Sequence, residues 1–157
     1  MADPDLARPI LARLTALLAT PVVDAGTTTA LAGRDLVGGV VAARGTWWGV
    51  VIVRSDRELA RRIADGCTPP ETIDASMRRI AGELAHVVVQ ELDPTAKLSA
   101  PVVLAADNAT WVPEIAWLQA RVEVHVHAQL FVVEVHRRRR SDEIPTTGAG
   151  TASGTSA

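Results

Sequence analysis

The sequence predicts an α+β domain in which a largely antiparallel sheet packs against about three helices. Apolar residues near the N-terminus and in the middle of the chain recur at helical spacing. Two segments further along alternate strictly between apolar and polar residues, as half-buried strands do. Between these regions, glycine separates two β-branched segments, which is typical of a hairpin of antiparallel strands.

Length and composition favour a single domain. A chain of 157 residues that is 48% apolar and 22% charged has the composition of one soluble globular protein. We place the domain at residues 1–140, because no large apolar side chain follows Ile144. Residues 141–157, rich in Thr, Gly, Ala and Ser, are predicted to be a disordered tail.

Charge and residue content exclude several classes of partner. The net charge of −2 and the aromatic content of 3% give neither attraction to nucleic acid nor a platform for base stacking. Cys67 is the only cysteine, which excludes an internal disulfide and a zinc site built on paired thiolates, and favours a reducing compartment. Arg13 and Pro21 interrupt the best apolar stretch, so we expect no signal peptide and no membrane span, and a cytoplasmic protein.

The first elements are a helix and a hairpin. The helix is predicted to end near Pro21, and its buried stripe consists of Ile10, Leu14, Leu17 and Leu18. Residues 30–44 and 46–53 are β-branched and punctuated by glycine. Gly45 between them predicts the turn of a hairpin.

Two further helices are indicated by capping motifs. Ser55 and Glu58 have the spacing of a capping box, in which each side chain binds a free backbone N–H of the first turn, and they predict a helix over residues 56–65. Thr68 and Glu71 repeat this spacing and predict a longer helix that runs to about Leu92.

Strands are predicted in the last third of the chain. A short strand is expected over residues 98–105, where Pro101 favours an edge or an irregularity. Residues 121–127 and 131–136 each present an apolar face to the core and a wet face to solvent. We expect them to pair about a turn at Ala128 and Gln129, a register that sets Val126 opposite Phe131, Val124 opposite Val133 and Val122 opposite Val135.

A polar stripe runs along the long helix beside its apolar stripe. The apolar stripe consists of Ile73, Met77, Ile80, Leu84, Val87 and Val88. About a quarter turn away, steps of three and four residues align Ser76, Arg79, Glu83, His86 and Gln90. Such a stripe can present an acid–base pair or bind a charged partner, and it can equally be a solvated helix flank.

The order of these elements and several short motifs resemble one known family. The segment Gly49-Val-Val-Ile-Val-Arg-Ser-Asp and a short helix precede Ile80-Ala-Gly-Glu-Leu-Ala-His86, and Leu98-Ser-Ala-Pro-Val-Val follows. Over about residues 5–136 the chain resembles the CheX branch of the CheC/CheX phosphatases. That resemblance implies a CheX-like fold and, in chemotaxis or two-component signalling, action on the phosphorylated aspartate of a CheY-like receiver domain.

The resemblance also implies roles for the polar stripe. In the family, a Glu-Leu-x-Asn helix is the active element, where Asn holds the attacking water and Glu engages the receiver's active-site lysine. Glu83 matches the family Glu, whereas His86 stands in place of Asn and Arg79 in place of Ser or Asp. Glu83 and His86 are therefore the candidate catalytic residues, and Arg79, Ser76 and Gln90 are candidate binding residues. The receiver would bring its own Mg²⁺, so no cofactor bound by this chain is implied.

Two interpretations of the resemblance stay open, because water positioning is critical in phosphoryl transfer. In the first, the chain hydrolyses the aspartyl phosphate with His86 orienting the water. In the second, a module of the same fold has lost turnover and docks receivers or another partner through the polar stripe. A homodimer formed through an exposed strand edge is compatible with either.

Three other features carry less specific hypotheses. His125 and His127 share a strand face with Glu123 and could present two imidazoles to a metal, but we assign no metal because no third ligand is evident, and a metal-dependent hydrolase ranks third. The basic run at residues 137–140 could bind phosphate or acidic surfaces, although such a run more often protects an edge strand. Trp47 and Trp48 should point to opposite faces of the sheet, leaving at least one exposed or in a contact surface.

Overall fold

The computed structural model describes residues 5–18, 23–24, 29–104 and 116–138. The helices in these ranges are α1 (Ala7–Leu18), α2 (Arg57–Asp65) and α3 (Ile73–Leu92). The strands are β1 (Val23–Asp24), β2 (Leu36–Arg44), β3 (Gly49–Asp56), β4 (Lys97–Leu98), β5 (Val102–Leu104), β6 (Ala116–Val126) and β7 (Gln129–Arg138). The predicted tail, residues 141–157, and the predicted helix end near Pro21 lie outside the described residues.

All seven strands of the described ranges belong to one sheet, and every pairing is antiparallel. The order is β1-β6-β7-β3-β2-β4, with β5 also paired to β2. The predicted strand at residues 98–105 is thus two short strands, β4 and β5, separated at Pro101. Between them Ser99 donates its N–H to the carbonyl oxygen of Ala42 at 2.8 Å and accepts the Ala42 N–H on its hydroxyl at 2.9 Å. The α+β prediction is confirmed.

The core lies between one face of the sheet and the three helices. Gly39 on β2 allows α3 to approach closely, because a Cβ there would lie 2.9 Å from the carbonyl oxygen of Met77. Such a contact is closer than side chains tolerate, so this position favours glycine. The core cluster includes, from the helices, Ile10, Leu14, Leu59, Met77, Ile80 and Leu84, and from the sheet, Val41, Val51, Val53, Val122, Val124, Phe131, Val133 and Val135.

The hairpin of β6 and β7 turns one residue earlier than predicted. His127 and Ala128 form the turn with φ values of 51° and 66°, so Val124 lies opposite Phe131 and Val126 opposite Gln129. The three expected pairings, Val126 with Phe131, Val124 with Val133 and Val122 with Val135, are therefore wrong. Positive φ at both turn residues gives the twist that a two-residue hairpin requires, although neither residue type signals it. The shift keeps the same apolar side chains facing the core.

Both predicted capping boxes are wrong. Strand β3 continues through Asp56, and the buried Ser55 donates its hydroxyl to the carbonyl oxygen of Asp56 at 2.9 Å. Helix α3 begins later than expected, with Thr72 as its N-cap, whose hydroxyl accepts the N–H of Ala75 at 3.0 Å. The pattern of a Ser or Thr followed three residues later by Glu identified the right regions but the wrong first residue.

The face of β6 and β7 that was predicted to be wet is largely buried. Glu123, Glu134 and His136 are 3%, 9% and 3% exposed, respectively. On the neighbouring strand the 1% exposed Arg54 forms an ion pair with Glu134 through its Nη1. Burial alone would raise the pKa of Glu134, but the hydrogen bond from His136 and the charge of Arg54 lower that pKa to about 2. The side of the sheet away from the core thus holds a buried charge network.

Candidate functional site

Helix α3 places the predicted polar stripe partly in solvent and partly inside the protein. Glu83, His86 and Gln90 are exposed, and Arg79 is half-buried. Ser76, a candidate binding residue, is fully buried, so the alternative of a wholly solvated flank does not hold at this residue. Burial of this polar side chain is tolerated because its hydroxyl donates a hydrogen bond to the carboxylate of Glu71 at 2.7 Å.

Glu83 meets a cation from another helix. The Nη1 of Arg13 on α1 lies 3.3 Å from Oε1 of Glu83, and the two side chains are 43% and 47% exposed. Sequence reasoning treated Arg13 only as a charge that interrupts an apolar stretch. A clue was present, because Arg13 follows Ile10 by three residues and therefore borders the stripe that α1 packs against α3. Glu83 thus remains accessible, but its carboxylate already has one partner.

Arg79 is held by the segment that precedes α3. Its Nε lies 3.0 Å from Oε1 of Glu71, which also accepts hydrogen bonds from the Ser76 hydroxyl and, at 3.2 Å, the Cys67 thiol. The hydrogen bond from Arg79, followed by those from Ser76 and Cys67, lowers the pKa of Glu71 to about 2. Sequence reasoning missed this role of Glu71, because it assigned the residue to a helix cap. The charge of Arg79 is therefore largely neutralised within the chain.

Glu83 and His86 form a small, open site. They lie one turn apart on a helix whose opposite side is buried in the core, so their backbone positions are fixed by packing. An exposed carboxylate can accept an ammonium group, and a neighbouring imidazole nitrogen can hydrogen-bond a water molecule. A cleft of 350 Å³ lined by Arg34, Asp56 and Arg57 includes neither residue. The open position suits a macromolecular partner better than an enclosed small molecule.

The candidate metal ligands are not arranged as a metal site. His127 lies in the hairpin turn, and Glu123 accepts the N–H of Thr29 at 2.8 Å and contacts Nε2 of His125 at 3.2 Å. In the part of the chain that the structure describes, no group of three or more His, Cys, Asp and Glu residues could hold a metal ion. The same part contains no helix long and apolar enough to cross a membrane.

Comparisons with known proteins identify the fold. No family model matches the chain, and no curated protein sequence does. Among solved structures, the chain is similar to CheX of Borrelia burgdorferi, solved in complex with CheY, BeF3 and Mg²⁺, with a TM-score of 0.68 and 17% identity over 86% of this chain and 99% of that one. A CheC-like protein of Shewanella sp. PV-4 gives a TM-score of 0.65 and 11% identity over 85% and 95% of the two chains. CheX of Vibrio vulnificus gives 0.59 and 14% over 88% and 99%.

These similarities show that the chain has a CheX-like fold, as the sequence motifs predicted. The match extends over nearly the full length of the solved chains, so it includes the helices and the sheet together. At identities of 11% to 17% it establishes the architecture and leaves the activity to be argued from the residues.

Proposed function

We propose that this protein acts on phosphorylated CheY-like receiver domains as an aspartyl-phosphate phosphatase, in the cytoplasm where such signalling occurs. The observation that supports the proposal most directly is the exposure of Glu83 and His86 one turn apart on α3 of a CheX-like fold. The similar CheX of Borrelia burgdorferi was solved with CheY, which makes a receiver domain the natural partner to test.

In the proposed reaction, water attacks the phosphorus of the receiver's aspartyl phosphate. The bond between phosphorus and the aspartyl oxygen breaks, which returns a free carboxylate and releases inorganic phosphate. Glu83 binds the ammonium group of the receiver's active-site lysine and thereby fixes the docked orientation. His86 accepts a hydrogen bond from the attacking water and aligns it for in-line displacement. The receiver contributes Mg²⁺ and the phosphoryl group, so this chain supplies positioning.

The second candidate is a receiver-binding module without turnover. Two observations favour it, the replacement of Asn by His86 and the ion pair that already occupies Glu83. A neutral imidazole has one N–H donor where a carboxamide has two, and it is wider, so the water would be held less well. Because a tenfold loss of rate corresponds to only about 1.4 kcal/mol, small displacements could remove turnover and leave docking intact.

The decisive experiment follows the decay of a phosphorylated receiver domain with and without a stoichiometric amount of this protein. Faster decay that is lost in Glu83→Gln, and retained in the control Glu91→Gln on the exposed side of the same helix, would support the phosphatase. Unchanged decay accompanied by binding of the BeF3-loaded receiver would support the docking module. Absence of both effects would refute the proposed function.

The variant His86→Asn separates the two candidates further. If His86 orients the water, this substitution lowers the rate or leaves it unchanged. If turnover was lost through the replacement of Asn, the substitution raises the rate. Receiver binding, measured in parallel, separates an effect of the substitution on turnover from an effect on docking.

A further inference from the structure

We propose a second docking surface on the face of the sheet that points away from the helices. It is formed by Arg138, Trp48, Arg44 and Lys97, and it binds an acidic segment of a protein partner. We call these four residues the cationic row. They lie on the other side of the sheet from the core, whereas Glu83 and His86 lie on a core-packing helix. This surface is therefore separate from the proposed phosphatase site.

The register of the paired strands places the four residues of the cationic row side by side. Arg44 is paired directly with Lys97 across β2 and β4. The Arg138 N–H of β7 donates to the carbonyl oxygen of Trp48 at 2.7 Å, and Trp48 immediately precedes Gly49, which pairs with Ala43. Residues directly opposite on adjacent strands project to the same face. Ala43 packs in the core, and successive side chains of a strand point to opposite faces. Arg44 and the residues level with it on the adjacent strands therefore project away from the core.

Trp48 organises two of the cations. The guanidinium carbon of Arg138 lies 3.8 Å from the centroid of the Trp48 ring, and that of Arg44 lies 5.2 Å away. Both distances are within the range of cation–π attraction. The indole is 37% exposed, so the contact stands at the surface. Holding two guanidinium groups on one ring reduces the rotamer freedom that they would otherwise lose on binding an anion.

Among the described residues, no carboxylate forms an ion pair with the cationic row. In the parts of the chain that the structure describes, ion pairs form at other arginines and none forms at Arg44, Lys97 or Arg138. Asp93, in the adjoining turn, is buried and accepts hydrogen bonds from Trp47 and Thr95. Like charges directly opposite on paired strands destabilise a sheet, and Arg44 and Lys97 are such a pair. An acidic partner would relieve this repulsion.

Protection of a sheet edge does not explain the basic residues on β7. That strand lies inside the sheet, between β6 and β3, and Arg137 pairs with Gly49 on one side and Trp117 on the other. The sequence-based interpretation of the basic run as protection of an edge strand is therefore wrong for the described part of the run. The two arginines end an interior strand, where edge protection has no role.

The chemistry of the surface favours a protein over nucleic acid or membrane. The net charge of −2 over the whole chain opposes binding to the extended charge of duplex DNA or an anionic membrane, whereas a short acidic segment needs only the local charge of the row. Exposed Trp and Arg together are typical of the energetic centres of protein interfaces. Leu118, which is 51% exposed, pairs with His136 on the same side of the sheet and adds apolar surface beside the row. An acidic segment with apolar side chains complements both features.

The test titrates the full chain with a capped Glu-rich peptide that contains one Leu, while NMR follows the Trp48 indole and backbone amides. We expect shifts at the cationic row, and an affinity about tenfold lower in the double variant Arg44→Gln/Lys97→Gln, as removal of two surface charge contacts would give. Arg138→Gln should weaken binding by about two- to fivefold. The matched control Arg61→Gln, on the exposed face of α2, should bind as the parent does.

Three results would overturn the proposal. The first is an absence of shifts at the cationic row, and the second is an equal loss of affinity in Arg61→Gln. The third is row-dependent binding of duplex DNA or phosphatidylserine vesicles that is tighter than binding of the peptide. Thermal melting controls for folding. Removal of the opposed charges and loss of the contact between Arg44 and Trp48 have opposite effects on stability, so the melting temperature should change little. If the double variant does not fold, Lys97→Gln alone provides the same comparison.

Discussion

The buried ion pair between Arg54 and Glu134 allows a quantitative prediction about stability. In the variant Glu134→Gln, the side chain keeps its size but loses the charge that faces a guanidinium group only 1% exposed. Lowering of the Glu134 pKa from 4.5 to about 2 corresponds to roughly 3 kcal/mol of stabilisation. Removal of one partner of a buried pair costs about 3–5 kcal/mol by comparison with other proteins. We therefore expect a loss of about 3 kcal/mol at neutral pH.

The assay is urea unfolding of the parent and Glu134→Gln at several pH values. The folded-state pKa of Glu134 lies below its unfolded value, so its contribution is present above about pH 4.5 and is lost as the pH falls towards about 2. The two stability curves should therefore separate at neutral pH and converge in acid. The control Glu91→Gln, an exposed carboxylate on α3, should change stability by less than about 0.5 kcal/mol. A loss below about 1 kcal/mol, or a difference that persists in acid, would refute this reasoning.

Three further predictions follow from contacts around α3. Arg13→Gln should raise affinity for the BeF3-loaded receiver by about two- to fivefold in a titration, because it releases Glu83 from a surface ion pair, and a fall in affinity would contradict this. Gly39→Ala should cost about 1–3 kcal/mol in urea unfolding through its clash with Met77, whereas Gly82→Ala, whose Cβ meets nothing closer than 3.5 Å, should be neutral or stabilising. Glu71→Gln should lower the melting temperature above about pH 4.5 but not near pH 2, because the Glu71 pKa is held at about 2 in the folded state.

The helices and strands could be predicted well from the sequence, because the spacing of apolar residues shows which side of each element is buried. The stripe from Ile73 to Val88 predicted the core face of α3, and the alternation in β6 and β7 predicted which side chains enter the core. The turn was missed because neither His127 nor Ala128 is typical of a turn with positive φ at both positions. The observed pairing differs from the expected one by two residues, because Val126 lies opposite Gln129 and not Phe131. A shift of two residues keeps each side chain on the same face of the sheet, so the apolar pattern could not detect the error.

The candidate site was only partly predictable, because its partners come from distant parts of the chain. The spacing of Glu83 and His86 showed that they share a helix face, whereas the approach of Arg13 depends on how α1 packs against α3. Glu134 and His136 showed polar alternation, which has the same pattern whether the polar face meets water or a buried arginine from β3. Local patterns report the direction of a side chain, but they do not report what it meets.

The broken strand beside β2 affects how copies of this protein could assemble. Strands β4 and β5 pair with the two ends of β2, and Ser99 satisfies the backbone of Ala42 between them. On this flank a strand from another molecule would have to pair with β4 and β5, and edge strands of two and three residues resist aggregation through strand addition. Pro101, which has no N–H to donate, further limits the interrupted segment as a template. On the opposite flank of the described sheet, β1 pairs with β6 only at Val124 and His125, so a dimer that extends the sheet would favour that flank.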